Sequence, residues 1–325
     1  MLQTAIIGMG RWGRTLVESV QRGNESGLRS VAGCTRTPAK AEAWAAEQGI
    51  RILENYEAVL GDPAVQAVVL ATPHRQHAEQ VIAAAASGKH VFVAKPFTLS
   101  RASAEAAVEA CRRAGVVLAL GHNRRFLPAL LEMRRLLAEA ALGTVLHAEG
   151  HIGGPAAATW RQGMWRADRE ESPLGGMGGM GIHMVDMLVG LLRPIAEVTV
   201  ASFPRVSAHV EDTTAMLARF VGGATATFAT LSLAPQYWRV ALFGTEGLLE
   251  MQWRDRLVFV PVAGDGGWTR DFPPTDIEHA ELQAFAAAVA GGPAYPLPLS
   301  EAIHGVSVFE TMIGAAASGS RYAVP

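Results

Sequence analysis

The chain has 325 residues, half of them hydrophobic and 18% charged, with a formal net charge of -2. This fits about two soluble domains of ~150 residues, each with its own core, and excludes a disordered chain. The near-neutral balance and the absence of a long basic run exclude nucleic acid and an anionic membrane surface as partners, and no apolar run reaches the ~18 residues that span a bilayer, so the chain reads as cytosolic.

Residues 4–14, Thr-Ala-Ile-Ile-Gly-Met-Gly-Arg-Trp-Gly-Arg, are a short apolar run followed by three glycines, with a helical pattern beginning at Thr15. This is the strand, turn and helix of a dinucleotide fold. Gly8 permits the tight turn, Gly10 leaves no side chain between backbone and pyrophosphate, and Gly13 lets helix and strand pack closely. The helix N-terminus, with Arg11 and Trp12, then faces the phosphates. Trp12 either covers the adenine edge or packs on the turn.

Strand and helix alternate from there to Gly121. Residues 28–34, 66–71, 90–93 and 116–120 read as strands. Residues 38–49 read as a helix entered by a proline and closed by a glycine, 74–87 as a helix closed by Gly88, and 100–113 as a helix capped by Ser100. Short continuous apolar strands joined by helices predict a parallel sheet covered on both faces, a doubly wound α/β domain over residues 1–121. The two cysteines, Cys34 and Cys111, have no metal-ligand spacing and form no disulfide framework, so they read as small buried hydrophobes; no metal is expected.

Beyond Gly121 a helix at 128–140 leads into strands at 144–151, 195–201, 213–220, 224–231, 238–243 and 257–262, with a hairpin signal at Gly222-Gly223. Runs of strands without intervening helices predict an antiparallel sheet and an α+β domain over 122–325. Helices return at 277–290 and 300–317, joined by a Pro/Gly-rich surface connection at 291–298.

About 20 positions after the glycines, a doubly wound fold holds the NAD ribose with an acidic residue or the NADP 2′-phosphate with an arginine. Here the sequence is Cys34-Thr35-Arg36-Thr37, with no carboxylate. Thr35 and Arg36 can both donate to a phosphate, which favours NADP, with NAD possible. The alternative is that Arg36 stacks on adenine or faces solvent, leaving either cofactor usable.

Five ordered segments together resemble the glucose–fructose oxidoreductase / inositol dehydrogenase family of NAD(P)-dependent oxidoreductases. They are Gly8-Met9-Gly10-Arg11-Trp12-Gly13; Ala71-Thr72-Pro73-His74-Arg75-Gln76-His77; Gly88 through Ala94-Lys95-Pro96; Gly121-His122-Asn123-Arg124-Arg125-Phe126; and Gly175-Gly176 through His183-Met184-Val185-Asp186. Glu211-Asp212 and the segment from Phe243 to Gly247 also fit. The resemblance implies a Rossmann domain followed by a large open, mainly antiparallel sheet whose exposed face forms the subunit interface of a homodimer or homotetramer. It implies hydride transfer between nicotinamide and a hydroxyl-bearing carbon of a small sugar, cyclitol or related ring. Lys95 and His183 match the family's proton-handling residues, and the loop Ala71, Thr72, Pro73 and His77 lies against the nicotinamide half. Asn123, where the last strand leaves the first domain, is expected to contact cofactor or substrate, and Arg124, Trp165, Arg166 and the position of Gly179 are candidates for substrate contact.

These roles suit the chemistry. Oxidising an alcohol removes a hydroxyl proton as the hydride leaves, and a cationic donor stabilises the developing alkoxide. A lysine at its ordinary pKa of ~10.4 is a poor base at neutral pH, but burial beside an oxidised nicotinamide favours its neutral form. Taken without the family, Lys95-Pro96 is a surface turn after a strand, and His183 with Asp186 is either an oriented imidazole or a local polar contact.

The sequence departs from the family at two places. Ala94 stands where a glutamate precedes the lysine, and Gly179 stands where an acidic residue contacts substrate hydroxyls. If Met177, Met180 and Met184 line the pocket rather than the core, the substrate is less hydroxyl-rich than inositol or glucose, or its polar groups meet Arg124, Arg125, His151, Trp165 or Arg166. An arginine at 166 would suit a carboxylate or phosphate; the alternative is a partly buried tryptophan beside a surface arginine. Two further readings stand beside this one: a dihydrodiol dehydrogenase-like oxidation of a cyclic diol, and a catalytically silent NADP-binding sensor or scaffold. Hydrolysis by a nucleophilic serine lacks its G-x-S-x-G elbow.

Overall fold

In the computed structural model, which describes residues 1–21 and 26–325, the opening apolar run is strand β1 (Leu2–Ile7), and the glycine turn leads directly into helix α1 (Arg11–Gln21). The helix starts ahead of Thr15 because the turn is already helical in its hydrogen bonding: Arg14 N donates to Gly10 O at 3.0 Å. There follow β2 (Leu28–Cys34), α2 (Glu42–Gln48), β3 (Arg51–Ile52), α3 (Tyr56–Gly61), β4 (Ala67–Leu70), α4 (His77–Ala86), β5 (His90–Ala94), α5 (Arg101–Ala114) and β6 (Leu118–Gly121). These strands form one parallel sheet in the order β3-β2-β1-β4-β5-β6, the winding of a dinucleotide-binding fold.

The punctuation residues act as expected. Gly49 and Gly115 close α2 and α5 at φ 68° and 65°, and Ser100 caps α5 by accepting from Ser103 N. Pro38–Lys40 is a separate 3₁₀ turn rather than the first turn of α2. The short elements β3 and α3 are not visible to periodicity; their local sign is Asn55, whose side chain caps α3 by accepting from Ala58 N at 2.8 Å.

Beyond β6 come α6 (Pro128–Ala138), β7 (Val145–Gly153), α7 (Ile182–Leu192), β8 (Ile195–Phe203), β9 (Thr213–Phe220), β10 (Thr225–Leu231), β11 (Tyr237–Gly244), β12 (Gly247–Gln252), β13 (Arg256–Pro261), β14 (Trp268–Asp271), α8 (Ile277–Val289), α9 (Leu299–Ser318) and β15 (Tyr322–Ala323). Nine strands form a second sheet, β14-β13-β12-β11-β7-β10-β9-β8-β15. Its pairs are antiparallel apart from β7 with β10. The β9–β10 hairpin turns at Gly222-Gly223, with Gly223 at φ 93°. Strands β12, β14 and β15 are additions to the sequence reading.

The chain divides into two compact units, residues 1–123 with 276–299, and residues 124–275 with 300–325. This differs from a single cut after Gly121 because α8 returns to the first unit. Leu282, Phe285 and Ala286 join Ile6, Leu16 and Phe92 in its core, with the Phe92 and Phe285 rings 5.8 Å apart. Gln283 donates to Ser26 Oγ and accepts from Gly27 N, both at 2.8 Å. An amphipathic stripe shows that a helix buries one face but not which core receives it.

Cys34 and Cys111 are free and buried, and burial pushes both thiols up to about 11. Among the described residues no helix is long and apolar enough to cross a membrane.

Candidate functional site

The three glycines of the opening turn meet different constraints. Gly8 lies at φ 93°, donates its N–H to Cys34 O at 2.9 Å, and has Ala71 O only 2.7 Å from where a Cβ would sit. A Cβ at Gly13 would collide with Gly8 O. Gly10 is exposed, with no protein atom within 4 Å of an added Cβ. Packing therefore requires Gly8 and Gly13, whereas Gly10 leaves open space beside the first N–H groups of α1, which have no partner within the helix. That cradle fits a pyrophosphate.

Trp12 packs against the first unit's core, Arg11 and Arg36 are exposed, and Thr35 is half-buried at the end of β2. Arg14, which sequence reading did not single out, ties these pieces together. Its guanidinium donates to Met9 O at 3.2 Å and to Lys40 O at 2.7 Å, and lies 5.1 Å from the ring of Trp44, which donates to Glu18.

The next two strand ends carry Thr72 and Lys95. Ala71 N donates to Ile7 O at 2.8 Å, Thr72 Oγ1 donates to Gln80 Oε1 at 2.6 Å, and Pro73 opens the 3₁₀ turn His74–Gln76. Lys95 is half-buried just past β5, its bond to Pro96 is cis, and Ala94 before it is buried in the strand. His77, read from the sequence as either a cofactor-edge residue or a helix-packing one, is completely buried with both ring nitrogens near backbone carbonyls. Burial holds its imidazole below the ordinary range, against the opposing pull of those carbonyls. Asn123 is also fully buried; its Nδ2 donates to Glu278 Oε1 at 2.8 Å, and its Oδ1 has no hydrogen-bond partner among the described residues. Glu278 lies on α8, remote in sequence, and no local motif announced it.

In the second unit, His183 occupies the first turn of α7, immediately after a π-helical turn, Met177–Gly181. Glycines let this segment lie flat on the sheet. An added Cβ would sit 2.7 Å from Met184 Cγ at Gly150, 2.9 Å from Ser232 Cβ at Gly176 and 3.1 Å from Phe228 Cζ at Gly181. Met177 and Met184 are wholly buried, which settles them as core, and Met180 is half-buried. Gly179 is exposed, with nothing within 4 Å of an added Cβ.

Two residues expected among the substrate-facing groups are placed elsewhere. Arg125, 2% exposed, grips both carboxylate oxygens of Asp186 at 2.8–3.0 Å and also donates to Glu301 at 2.7 Å. It is a buried ion-pair partner. On β7, Ala148, Gly150 and Ile152 are buried on the side where Met184 packs, so His151 projects from the opposite face, with its ring 5.1 Å from that of Tyr237. Burial, then the charge of Arg239, lowers its pKa. Arg124 lies 5.4 Å over the Trp238 ring, and Arg166 stacks at 4.1 Å on its neighbour Trp165; all three of Arg124, Trp165 and Arg166 are half-buried.

The segment leading to His183 is anchored from beneath. Gly175, at φ 56°, abuts the Glu211 carbonyl with no room for a side chain. The adjoining Asp212 carboxylate accepts from the backbone N–H groups of Arg205, Val206 and Ser207 at 2.7–3.1 Å. Burial works against its charge, but these donors outweigh it and hold the carboxyl below the usual range.

Comparison with known proteins gives two matching family models. Residues 2–122 match the oxidoreductase family with an NAD-binding Rossmann fold, and residues 130–250 match the GFO/IDH/MocA C-terminal domain. The scyllo-inositol 2-dehydrogenase (NAD(+)) of Bacillus subtilis is 36% identical over 156 residues, 46% of this chain and 44% of that protein. The 1,5-anhydro-D-fructose reductase of Ensifer adhaerens is 29% identical over 310 residues, 87% of this chain and 89% of that protein. A solved levoglucosan dehydrogenase, in complex with NADH and levoglucosan, superposes with a TM-score of 0.88 at 22% identity, covering 100% of this chain and 99% of that one.

The Asp212 clamp has a pH signature. Because its folded pKa is depressed, its contribution is complete above the unfolded carboxyl value of ~3.9 and is lost as pH falls through the folded value. Asp212→Asn should be less stable at pH 7 by on the order of 2 kcal/mol. In urea unfolding, the gap from the parent should close below about pH 4; a gap unchanged at pH 3 would show that the charge is not what holds the loop.

Proposed function

The chain belongs to the GFO/IDH/MocA oxidoreductase family, and on that premise we propose that it transfers a hydride between a nicotinamide cofactor, NADP in preference to NAD, and a hydroxyl- or keto-bearing carbon of a small sugar-, cyclitol- or cyclic-diol-like metabolite. The observation that carries this reading is the open cradle at Gly10, on the same sheet as a half-buried lysine just past the carboxyl end of β5. Ligands of open α/β sheets bind at such strand ends.

When bound, the nicotinamide supplies the hydride acceptor or donor. In its neutral form Lys95 takes the hydroxyl proton, and as the resulting cation it stabilises the developing alkoxide; His183 shares the acid–base role. Exposed Arg36 and half-buried Thr35 read the 2′-phosphate. The uncharged, open position at Gly179 favours a ring with fewer free hydroxyls than inositol. An anhydro sugar, with an ether in place of hydroxyl groups, fits that description, and the names of two of the matched proteins carry anhydro sugars.

We further propose that the outer face of the nine-stranded sheet pairs two or four copies of the chain. It presents Leu217, 52% exposed, with Ala215 beside it on β9 and Thr227 opposite on β10, and its charges are tied within the face as Arg239 to Glu149 and Glu250. Leu217→Glu should convert an oligomer into monomers in analytical ultracentrifugation; a parent chain that sediments as a monomer would remove the proposal.

The deciding experiment measures binding of NADP(H) and NAD(H), then turnover on levoglucosan, 1,5-anhydro-D-fructose, scyllo-inositol and a cyclic dihydrodiol. Lys95→Ala should lower turnover by about 10²–10⁴-fold while cofactor binding persists. Arg36→Ala should weaken NADP about tenfold more than NAD. Equal losses for the two cofactors would show that Arg36 does not read the phosphate, and undiminished turnover in Lys95→Ala would remove that residue from the chemistry.

A further inference from the structure

The loops after β4 and β5 leave adjacent strands, with Leu70 paired to Val93, and carry Thr72 and Lys95 in irregular backbone. Carbonyls in such segments need donors when they are buried. One side chain lies against both loops. His77, in the first turn of α4, is 0% exposed; its Nδ1 lies 2.9 Å from Pro96 O and 3.2 Å from Phe97 O, and its Nε2 lies 3.0 Å from Thr72 O. A neutral imidazole has one N–H to give. With the proton on Nδ1 it reaches the two carbonyls that directly follow Lys95, whereas with the proton on Nε2 it reaches a single carbonyl, that of Thr72.

We infer that His77 is a positioning residue for Lys95: a neutral, Nδ1-protonated ring that donates to Pro96 O and Phe97 O and so fixes the backbone from which the Lys95 ammonium projects. The inference rests on the reading of Lys95 as the proton-handling lysine, but its geometry concerns the loop alone. His77 touches neither cofactor nor substrate in this role. Its effect on the reaction passes through the placement of Lys95, where a displacement of about 1 Å is costly to rate.

The test uses the full chain and does not depend on knowing the substrate. The sequence contains three lysines, Lys40, Lys89 and Lys95, so ¹³C-lysine labelling gives a spectrum that Lys95→Arg assigns. An asparagine amide at 77 can place a donor near the Nδ1 position and a glutamine amide near the Nε2 position. His77→Gln should therefore shift or broaden the Lys95 signal while leaving Lys40 and Lys89 unmoved, and His77→Asn should restore it towards the parent.

On any substrate that turns over, His77→Gln should lose about 10–100-fold in kcat with cofactor KM within about threefold, and His77→Asn should recover part of it. A Lys95 signal identical in all three proteins overturns the inference. Should neither variant fold, the ¹⁵N-histidine ring spectrum of the parent decides: a neutral His77 with its proton on Nδ1 supports the assignment, and a proton on Nε2 overturns it. A Lys95 signal that ignores NADPH and NADH in the parent, while still moving in His77→Gln, would instead count against Lys95 as a cofactor-side residue and leave the brace standing.

Discussion

The approach of α1 to β1 is the constraint from which the first unit follows. No side chain fits between the start of the helix and the strand end, since a Cβ at Gly13 would occupy the place of the Gly8 carbonyl and one at Gly8 would press on Ala71 O. With those two glycines in place α1 follows β1 directly, and because β1, β2 and β4 run parallel the loops leaving them lie on one edge of the sheet. Arg14 then joins the glycine turn to the loop after β2, and His77 lies between the loop after β4 and the loop after β5.

The second unit solves a similar problem with a different device. The glycines at 150, 176 and 181 let the turn before α7 settle against β7 and β10. The helix is then pinned by Arg125, which reaches Asp186 on α7 and Glu301 on α9 from a site almost without solvent. Such a pair contributes little net stability, because desolvation offsets most of the attraction. Removing one partner leaves a buried charge and costs roughly 3–5 kcal/mol, so the pair resists displacement of α7 more than it stabilises the fold.

Much of this was legible in the chain. The glycine turn, Ser100, Gly49, Gly115 and the Gly222-Gly223 hairpin are local signals, and each acts where the sequence puts it because its physics involves a few neighbouring residues. What was not legible depends on distant contacts. The membership of α8 in the first unit is decided by Phe92 and Phe285 meeting across the sequence, and the partner of Asn123 is Glu278. Short β3 and exposed β14 have too few buried positions to show a period. For Arg125 and His151, polarity marks a residue as a candidate, but only the fold shows that one meets carboxylates of its own chain and the other stands on the far face of a sheet.

Burial sorts the remaining polar residues by role. Arg125, His77 and Asp212 are nearly inaccessible and have their hydrogen bonds met by the protein, so changing any of them acts first on geometry. Lys95, Thr35, Arg36, Arg124 and Gly179 retain accessible surface. Asn123 stands between these groups: one end of its amide is committed to Glu278, and the other is a buried acceptor. A buried acceptor left unmet costs about 1–3 kcal/mol, so it favours any bound group that brings an N–H or O–H to it.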